Sequence, residues 1–261
     1  MPLYDFRSPR LHVASALGAG AEAPLDKSQA HYLRHVLRLG SGGEVLAFNG
    51  RDGEWRATLS GSARHPTLTI GEQTREQTAP RDLHYLFAPL KHERLDYMVQ
   101  KAVEMGVSRL QPVLTQHTQV KRVNVERMRA NAIEAAEQCG VLSIPEIGEP
   151  MTLARALAAR KPDRLLVFCD EDAEVKDPVR VLVDARQSPA AALPLTMSGS
   201  DGPQPLALLV GPEGGFAEDE RAALLKLANI VRLSLGPRIL RADTAAVAAL
   251  TLVQAVLGDW R

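Results

Sequence analysis

Two glycine-rich turns near the carboxyl terminus hold the residues best suited to chemistry. The first, Gly211-Pro212-Glu213-Gly214-Gly215, follows the apolar run Leu206–Val210, and the second, Gly236-Pro237-Arg238, follows Ile230–Leu235. Glycine allows positive φ angles and lets a ligand approach the backbone closely. Ligands of open α/β sheets bind at the carboxyl ends of strands, so we expect both turns to line one pocket.

The first turn does not have the pattern of a phosphate-binding loop. It matches neither the Walker A motif nor GxGxxG. The helix predicted after it starts with Ala217-Glu218-Asp219-Glu220, whose carboxylates already occupy the positive end of that helix. A nucleoside triphosphate or a dinucleotide is therefore not expected. By itself such a turn is equally consistent with a ligand-free reversal of the chain, and the second turn is what favours a shared site.

Charged residues and a long apolar helix follow the second turn. Arg238, Arg241 and Asp243 precede the predicted helix Thr244–Leu257, which is apolar around nearly its whole circumference. Such a helix is buried on all sides, either in its own core or in a dimer interface. We favour an interface between two copies, because the edge of a small α/β domain rarely covers a full helix.

Composition excludes several classes of protein. Lys plus Arg and Asp plus Glu both total 31, so nucleic-acid binding would need a local basic patch. Two cysteines, Cys139 and Cys169, are too few for a disulfide scaffold or an ordinary zinc site, and no metal is expected. Residues 1–10 lack a signal-peptide pattern, and no apolar run is long enough for a membrane span. We therefore expect a cytoplasmic protein.

The hydrophobic pattern changes near residue 80 and predicts two domains. Over 1–75, short strands separated by turn residues predict a small β-barrel-like domain with one helix at Lys27–Leu37, whose Leu33, Val36 and Leu37 share a face. Over 80–261, apolar strands alternate with helical patterns, which predicts an α/β domain with a mostly parallel sheet, broken by a loop-rich excursion over 171–205. The predicted strands are Leu11–Val13, Glu44–Phe48, Glu54–Leu59, Thr67–Ile70, Leu83–Ala88, Leu110–Leu114, Arg164–Cys169, Leu206–Val210 and Ile230–Leu235.

The two turns carry a resemblance to a known family. The first turn, together with Leu233–Ala245, resembles the signature of the SPOUT methyltransferase superfamily. Within it the similarity is strongest to the RsmE family, which methylates N3 of a uridine in 16S ribosomal RNA. Further motifs that resemble this family follow in order along most of the chain, at Pro9-Arg10, His31–Gly40, Lys101–Val107 and Glu134–Gly140.

The resemblance implies a fold, a cofactor and partners. It implies a SPOUT domain with a trefoil knot at its carboxyl terminus, an exception to unknotted topology, and a PUA-like amino-terminal barrel that helps to hold RNA. It also implies S-adenosylmethionine as cofactor, a homodimer, and 16S rRNA within the small ribosomal subunit as partner. The predicted cofactor-binding residues are Leu209, Val210, Gly211, Pro212, Glu213, Gly214, Gly215, Leu233, Leu235, Gly236, Ile239 and Leu240.

Methyl transfer to uracil N3 requires that this nitrogen lose its proton. A general base or a cation that stabilises the uracil anion would help. Arg10, Arg241 and Asp243 are the predicted catalytic residues, with Arg238 a further cation and Glu213 a further base. Other interpretations stay open: the two arginines after the second turn could hold phosphate, Glu213 could cap a backbone N–H, and Asp243 could be the N-cap of the last helix.

RNA contacts are predicted from basic residues of both domains. Singly, each is equally explained as a solvated charge, and as a set they could track phosphates. The predicted RNA-binding residues are Arg7, Arg34, Arg38, Lys91, Arg94 and Arg238.

The chain departs from the family pattern at three places. Ala242-Asp243-Thr244 replaces the usual Thr-Glu-Thr, Val141 follows Gly140 where Arg is common, and the stretch Gln116-His117-Thr118 is altered. We expect these changes to affect RNA contacts more than cofactor binding. Two alternatives remain: a SPOUT methyltransferase acting at another RNA position, and a non-catalytic RNA-binding ribosome-assembly factor.

Overall fold

The computed structural model describes residues 5, 7–62, 64–120, 122–174, 177–187 and 203–260. The chain divides into two compact units, one comprising 1–79 and 133–144, the other 80–132 and 145–261. Segment 133–144 lies within the range that the sequence pattern assigns to the second domain. The predicted excursion over 171–205 falls partly outside the described residues.

The first unit is a curled five-stranded sheet. Its elements are β1 (Arg10–His12), β2 (Glu22–Pro24), α1 (Lys27–His31), a π-helix (Tyr32–Val36), β3 (Glu44–Phe48), β4 (Glu54–Gly61) and β5 (Pro66–Arg75). The strand order is β1-β3-β4-β5-β2, with only the β1–β3 pair parallel. The four predicted strands are present, and β2 is additional because three residues with Pro24 carry no strand pattern.

The predicted helix Lys27–Leu37 is a turn of α-helix followed by a π-helix. Asp26 starts α1 with a capping box, and the Leu37 N–H donates to the Tyr32 carbonyl, five residues back. The wider turn keeps Leu33 buried but rotates Val36 outward, where it is 59% exposed. The predicted common face of Leu33 and Val36 is therefore wrong.

The second unit is built on a parallel sheet, as predicted. Its elements are β6 (Leu83–Phe87), α2 (His92–Glu104), β7 (Arg109–Leu114), α3 (Val125–Cys139, which ends in the first unit), β8 (Glu146–Ile147), β9 (Met151–Thr152), α4 (Leu153–Ala159), β10 (Leu165–Cys169), α5 (Pro178–Gln187), β11 (Leu206–Val210), α6 (Glu218–Leu225), β12 (Ile230–Leu233) and α7 (Ala242–Val256). The strand order is β12-β10-β11-β6-β7-β8, and β9 also pairs with β7. The two-residue strands and the short α4 are too brief to show a period in the sequence.

Both faces of this sheet are covered, which explains its unbroken apolar strands. All five residues of β11 are buried, as expected for a central parallel strand. One face packs with α4 and α6, and α7 packs against α2, α5 and β11. In this single chain one side of α7 is buried, through residues such as Ala245, Ala249 and Val253. The favoured burial of its other side in an interface between two copies stays a prediction.

In the part of the chain that the structure describes, no helix has the length and apolar character needed to cross a membrane. No group of three or more His, Cys, Asp or Glu side chains there could hold a metal ion.

Candidate functional site

A cavity of about 270 Å³ lies at the carboxyl ends of β10, β11 and β12. It includes both glycine turns, so the prediction of one shared pocket is confirmed. The first two residues of α7's buried side, Ala242 and Ala245, complete its wall. Its lining residues are Cys169, Asp170, Glu171, Asp172, Val210, Gly211, Pro212, Glu213, Gly215, Phe216, Arg221, Leu233, Ser234, Leu235, Gly236, Pro237, Arg238, Ile239, Leu240, Ala242 and Ala245.

Most of the predicted cofactor-binding residues line this cavity, and two do not. Leu209 is fully buried inside β11. Gly214 faces His117, whose Nδ1 lies 3.1 Å from the carbonyl oxygens of both Gly214 and Gly215. Donation to two carbonyls requires that the ring carry its hydrogen on Nδ1. His117, which is not among the lining residues, therefore contacts the first turn through these two carbonyls.

Backbone geometry explains the glycines at the two turns. Gly215 has φ +69°, and a Cβ there would overlap the Glu171 carboxylate. Gly236 has φ +98°, and a Cβ there would meet no heavy atom within 4 Å. Both positions lie in the left-handed region that other residues rarely adopt. Gly215 leaves room for the side chain of Glu171, and the space beside Gly236 in the cavity wall is open.

A buried carboxylate that the sequence analysis missed anchors one side of the cavity. Asp170, whose side chain is 2% exposed, lies 3.1 Å from Arg221 Nε and 2.7 Å from Arg232 Nε. Burial raises the pKa of Asp170, but the hydrogen bonds from the two arginines outweigh burial and hold the pKa below its usual value. The position of Asp170 in the sequence could have indicated it as a site residue. Asp170 directly follows a predicted strand, at the same edge of the sheet as the two turns.

An arginine of α2 joins the first glycine turn to the start of α7. Arg94 Nη1 lies 2.6 Å from Glu213 Oε1, and Arg94 Nε lies 2.9 Å from Asp243 Oδ2. The hydrogen bond from Arg94, opposed by burial and assisted by the Thr244 N–H, lowers the pKa of Asp243. A carboxylate held ionised in this way is a weak proton acceptor.

The N-cap interpretation of Asp243 is wrong. The helix begins at Ala242 after the extended residue Arg241, so Asp243 lies inside its first turn. There it receives the N–H of Thr244 at 2.8 Å as well as the guanidinium. Its role is to hold Arg94 rather than to start the helix.

The predicted catalytic residues belong to different units. Arg10 belongs to the first unit, where its side chain is 4% exposed and lies 2.9 Å from Glu54. Arg241 is exposed, and among the described residues that line the cavity neither Arg241 nor Asp243 appears. Arg238, predicted as an RNA contact, is exposed and does line it. Arg238 is therefore a cation of the cavity wall, and Arg10 has an ion-pair partner in its own unit.

The predicted RNA contacts lie on both units. Arg7 and Arg38 are exposed in the first unit, Lys91 is exposed in the second, and Arg34 donates to the Ser62 carbonyl at 3.1 Å. Arg38 follows the π-helix with φ +56°, an uncommon conformation for a residue other than glycine. Arg94, by contrast, is occupied by two carboxylates.

Comparison with known proteins agrees with this geometry. Residues 77–254 match the family model of an RNA methyltransferase domain, and residues 25–70 match that of an RNA methyltransferase PUA domain. Ribosomal RNA small subunit methyltransferase E of Synechocystis sp. is 31% identical over 95% of this chain and 78% of that protein. The protein of the same name from Rickettsia conorii is 29% identical, covering 94% of both chains.

A solved structure is also similar over its full length. Ribosomal RNA small subunit methyltransferase E from Neisseria gonorrhoeae, bound to S-adenosyl methionine, is 25% identical with a TM-score of 0.80, covering 98% of this chain and 100% of that one. The two family models, the relatives and the cavity formed by both turns lead to one assignment. This chain belongs to the RNA methyltransferase family that includes ribosomal RNA small subunit methyltransferase E.

Proposed function

We propose that this protein transfers a methyl group from S-adenosylmethionine to N3 of a uridine in 16S rRNA of the small ribosomal subunit. The observation that carries the proposal is the single cavity that both glycine turns line, at the carboxyl ends of three adjacent parallel strands. Such an edge is where α/β sheets bind ligands. A location in the bacterial cytoplasm, where ribosomes are, is part of the proposal.

The cavity has features that suit this cofactor. Val210, Leu233 and Leu240 provide apolar wall for an adenine ring, and the turn backbones offer N–H and C=O groups to its edge. Glu171 and Asp172 add exposed carboxylates that favour a ligand with positive charge. When bound, the cofactor supplies an electrophilic sulfonium methyl group. The residues from Val210 to Gly215 and from Leu233 to Leu240 would hold it.

The chain's own contribution to the chemistry is charge and position. Asp243 is a poor candidate for the base, since Arg94 keeps its carboxylate ionised and engaged. Arg238 lies in the cavity wall and can stabilise the anion that uracil becomes when N3 loses its proton. From the sequence, Arg241 is the predicted catalytic cation. The cavity lining favours Arg238 for that role and leaves Arg241, at the start of α7, for phosphate contact.

RNA would be held by basic residues of each unit. In the first unit, Arg34 lies within the π-helix that exposes Val36, and Arg38 follows that helix. Turns of π-helix are frequent at functional sites. Phosphate contacts position a nucleic acid, and the target uridine must be unstacked to enter a cavity. These residues are the proposed surface for the RNA around the target.

The trefoil knot and the homodimer belong to the same proposal. Support for the knot is the chain path, in which β10, β11 and β12 lie side by side and the turns after the last two share one cavity. Support for the dimer is α7, whose Val247, Ala248 and Leu252 are only half-buried although they are apolar. A second copy would cover them.

The test is mass-spectrometric mapping of 16S rRNA in a bacterial strain that lacks its own enzyme of this type. Complementation with this chain is expected to restore a methyl group on a uracil nitrogen, and Arg238→Ala is expected to reduce it. Arg127→Ala, which breaks an exposed ion pair with Asp96, is the control with unchanged methylation. Methylation at another RNA position, or none despite a folded protein, would overturn the proposal in favour of another SPOUT activity or an assembly factor.

A further inference from the structure

We propose that Arg94 is a positioning residue that sets the spacing between the two walls of the cavity. It does so by holding Glu213 of the first turn and Asp243 of α7 at the same time. The inference rests on the proposed function only for the identity of the ligand. Nothing in the sequence pattern indicates it, since Arg94 stands there as a predicted RNA contact.

The contacts join three segments that are distant in the sequence. Arg94 lies in the first turn of α2, Glu213 follows β11, and Asp243 lies in the first turn of α7. Arg94 reaches the first carboxylate through Nη1 at 2.6 Å and the second through Nε at 2.9 Å. One planar guanidinium thus bridges two carboxylates from different elements.

The two bridged carboxylates belong to two segments of the cavity wall. Glu213 itself lines the cavity, and Asp243 directly follows Ala242 and lies two residues before Ala245, which both line it. The distance between the two carboxylates therefore follows the separation of the first turn from the start of α7. By fixing the distance between the two carboxylates, Arg94 would also fix the separation of these two wall segments.

The orientation of the guanidinium depends on these two partners. Its remaining nitrogen, Nη2, is buried and has no hydrogen-bond acceptor in the part of the chain described. Arginine suits the task because its nitrogens form a rigid fork, whereas lysine offers one mobile ammonium. Arg94→Lys would hold one carboxylate and release the other.

Charge argues against RNA phosphate as the partner of Arg94. Its single positive charge faces two carboxylates, and the pKa of Asp243 is lowered by the hydrogen bond from Arg94, so the cluster carries net negative charge. A phosphate would be repelled by that cluster. The geometry points to an internal clamp.

The shorter side chain at position 243 still completes the clamp. The family usually has Glu where this chain has Asp243, and the ion pair nevertheless closes at 2.9 Å. Asp243→Glu is therefore the conservative variant that should keep the clamp, and Asp243→Asn the variant of equal size that should weaken it.

The experiment measures hydrogen exchange of the cofactor-free protein together with S-adenosylmethionine affinity by calorimetry. Arg94→Ala and Asp243→Asn are expected to speed amide exchange at least tenfold in peptides covering 211–216 and 242–246. They are also expected to weaken cofactor affinity at least tenfold and raise the KM for the cofactor, with kcat largely recovered at saturation. Asp243→Glu and Arg127→Ala, the latter on another ion pair of α2, should change neither quantity.

Several results would overturn the clamp. One is unchanged exchange in both peptides of Arg94→Ala; another is unchanged affinity while the wild type binds the cofactor. A variant that loses RNA binding alone would restore the role predicted from sequence. If the wild type does not bind S-adenosylmethionine, the proposed function fails, and the exchange data still decide the clamp. Should Arg94→Ala fail to fold, Arg94→Lys and Asp243→Asn decide by the same measurements.

Discussion

Substitution of Gly215 tests whether the first turn forms the cofactor site. The residue has φ +69°, and a Cβ would overlap the carboxylate of Glu171. Since Glu171 is exposed and its carboxylate is the far end of a flexible side chain, that overlap can be relieved by rotation. The strain of a left-handed backbone at position 215 cannot be relieved without moving the turn itself. This strain therefore determines the free-energy cost of the substitution.

The magnitude follows from the backbone. Holding alanine in the left-handed region costs about 1 kcal/mol, and a β-branched valine costs roughly 3 kcal/mol. If the free turn relaxes and must be restored on binding, these costs appear as about fivefold weaker affinity for Gly215→Ala and about a hundredfold for Gly215→Val. If the turn cannot relax, the same energy appears as lost stability, with a fall in Tm of about 2–4 °C per kcal/mol.

The assay is calorimetric titration with S-adenosylmethionine beside thermal unfolding of each variant. The matched control is Gly42→Ala in the first unit, at φ +82° with no heavy atom within 4 Å of the added Cβ. It should lower stability by a similar amount and leave affinity unchanged. Gly215→Val with undiminished affinity would mean that the cofactor binds elsewhere. Undiminished affinity together with undiminished stability would refute the backbone argument itself.

Two further predictions concern stability. Asp170→Asn leaves Arg221 and Arg232 around a neutral amide and should lower the free energy of unfolding by about 2–3 kcal/mol, measured by chemical denaturation. This loss is smaller than for a fully buried pair because the two arginines are partly exposed. A loss of stability below the error of the measurement would contradict the prediction. Burial, opposed by the N–H of His12, raises the pKa of Glu137 from 4.5 to about 7, so its contribution to stability is complete below pH about 4.5 and is lost as the pH rises through about 7. Glu137→Gln should remove about 1–2 kcal/mol of that pH dependence, and an unchanged stability profile from pH 4.5 to 8 would refute it.

The parts of the fold that the sequence predicts are those with a strong local signal. The strand Leu206–Val210 has five apolar residues that end at glycine and proline, and its bounds agree with the prediction. The parallel sheet follows from the alternation of strands and helices, a pattern that needs no knowledge of tertiary contacts. The π-helix at Tyr32–Val36 escapes prediction because its hydrogen-bond spacing depends on Leu33 reaching the core.

The cavity could be predicted, but the partners of its charged residues could not. Two glycine turns that follow two strands of one parallel sheet suffice to predict a shared pocket. The pairing of Arg94 with Asp243 spans 149 residues and depends on how α2 and α7 pack. The burial of Arg10 beside Glu54 likewise depends on the curl of the first sheet. Residue type and family motif therefore do not predict the ion-pair partners of Arg10 and Arg94.

Two departures from the family pattern, at His117 and Asp243, lie near the cavity wall. His117 lies in the altered stretch after β7, and its ring nitrogen contacts the carbonyl oxygens of Gly214 and Gly215 in the first turn. The neighbouring Gln116 N–H donates to Glu220 at 2.9 Å, and Glu220 in turn receives the Ala217 N–H at the start of α6. Asp243 is the other altered position. It contacts Arg94, which also contacts Glu213 of the first turn. Two of the three altered places thus contact the first turn or lie at the start of α7, and their effect on RNA contacts stays a prediction. Because the first turn lines the cavity, we expect the contacts of His117 and Asp243 to affect the shape of the cavity wall.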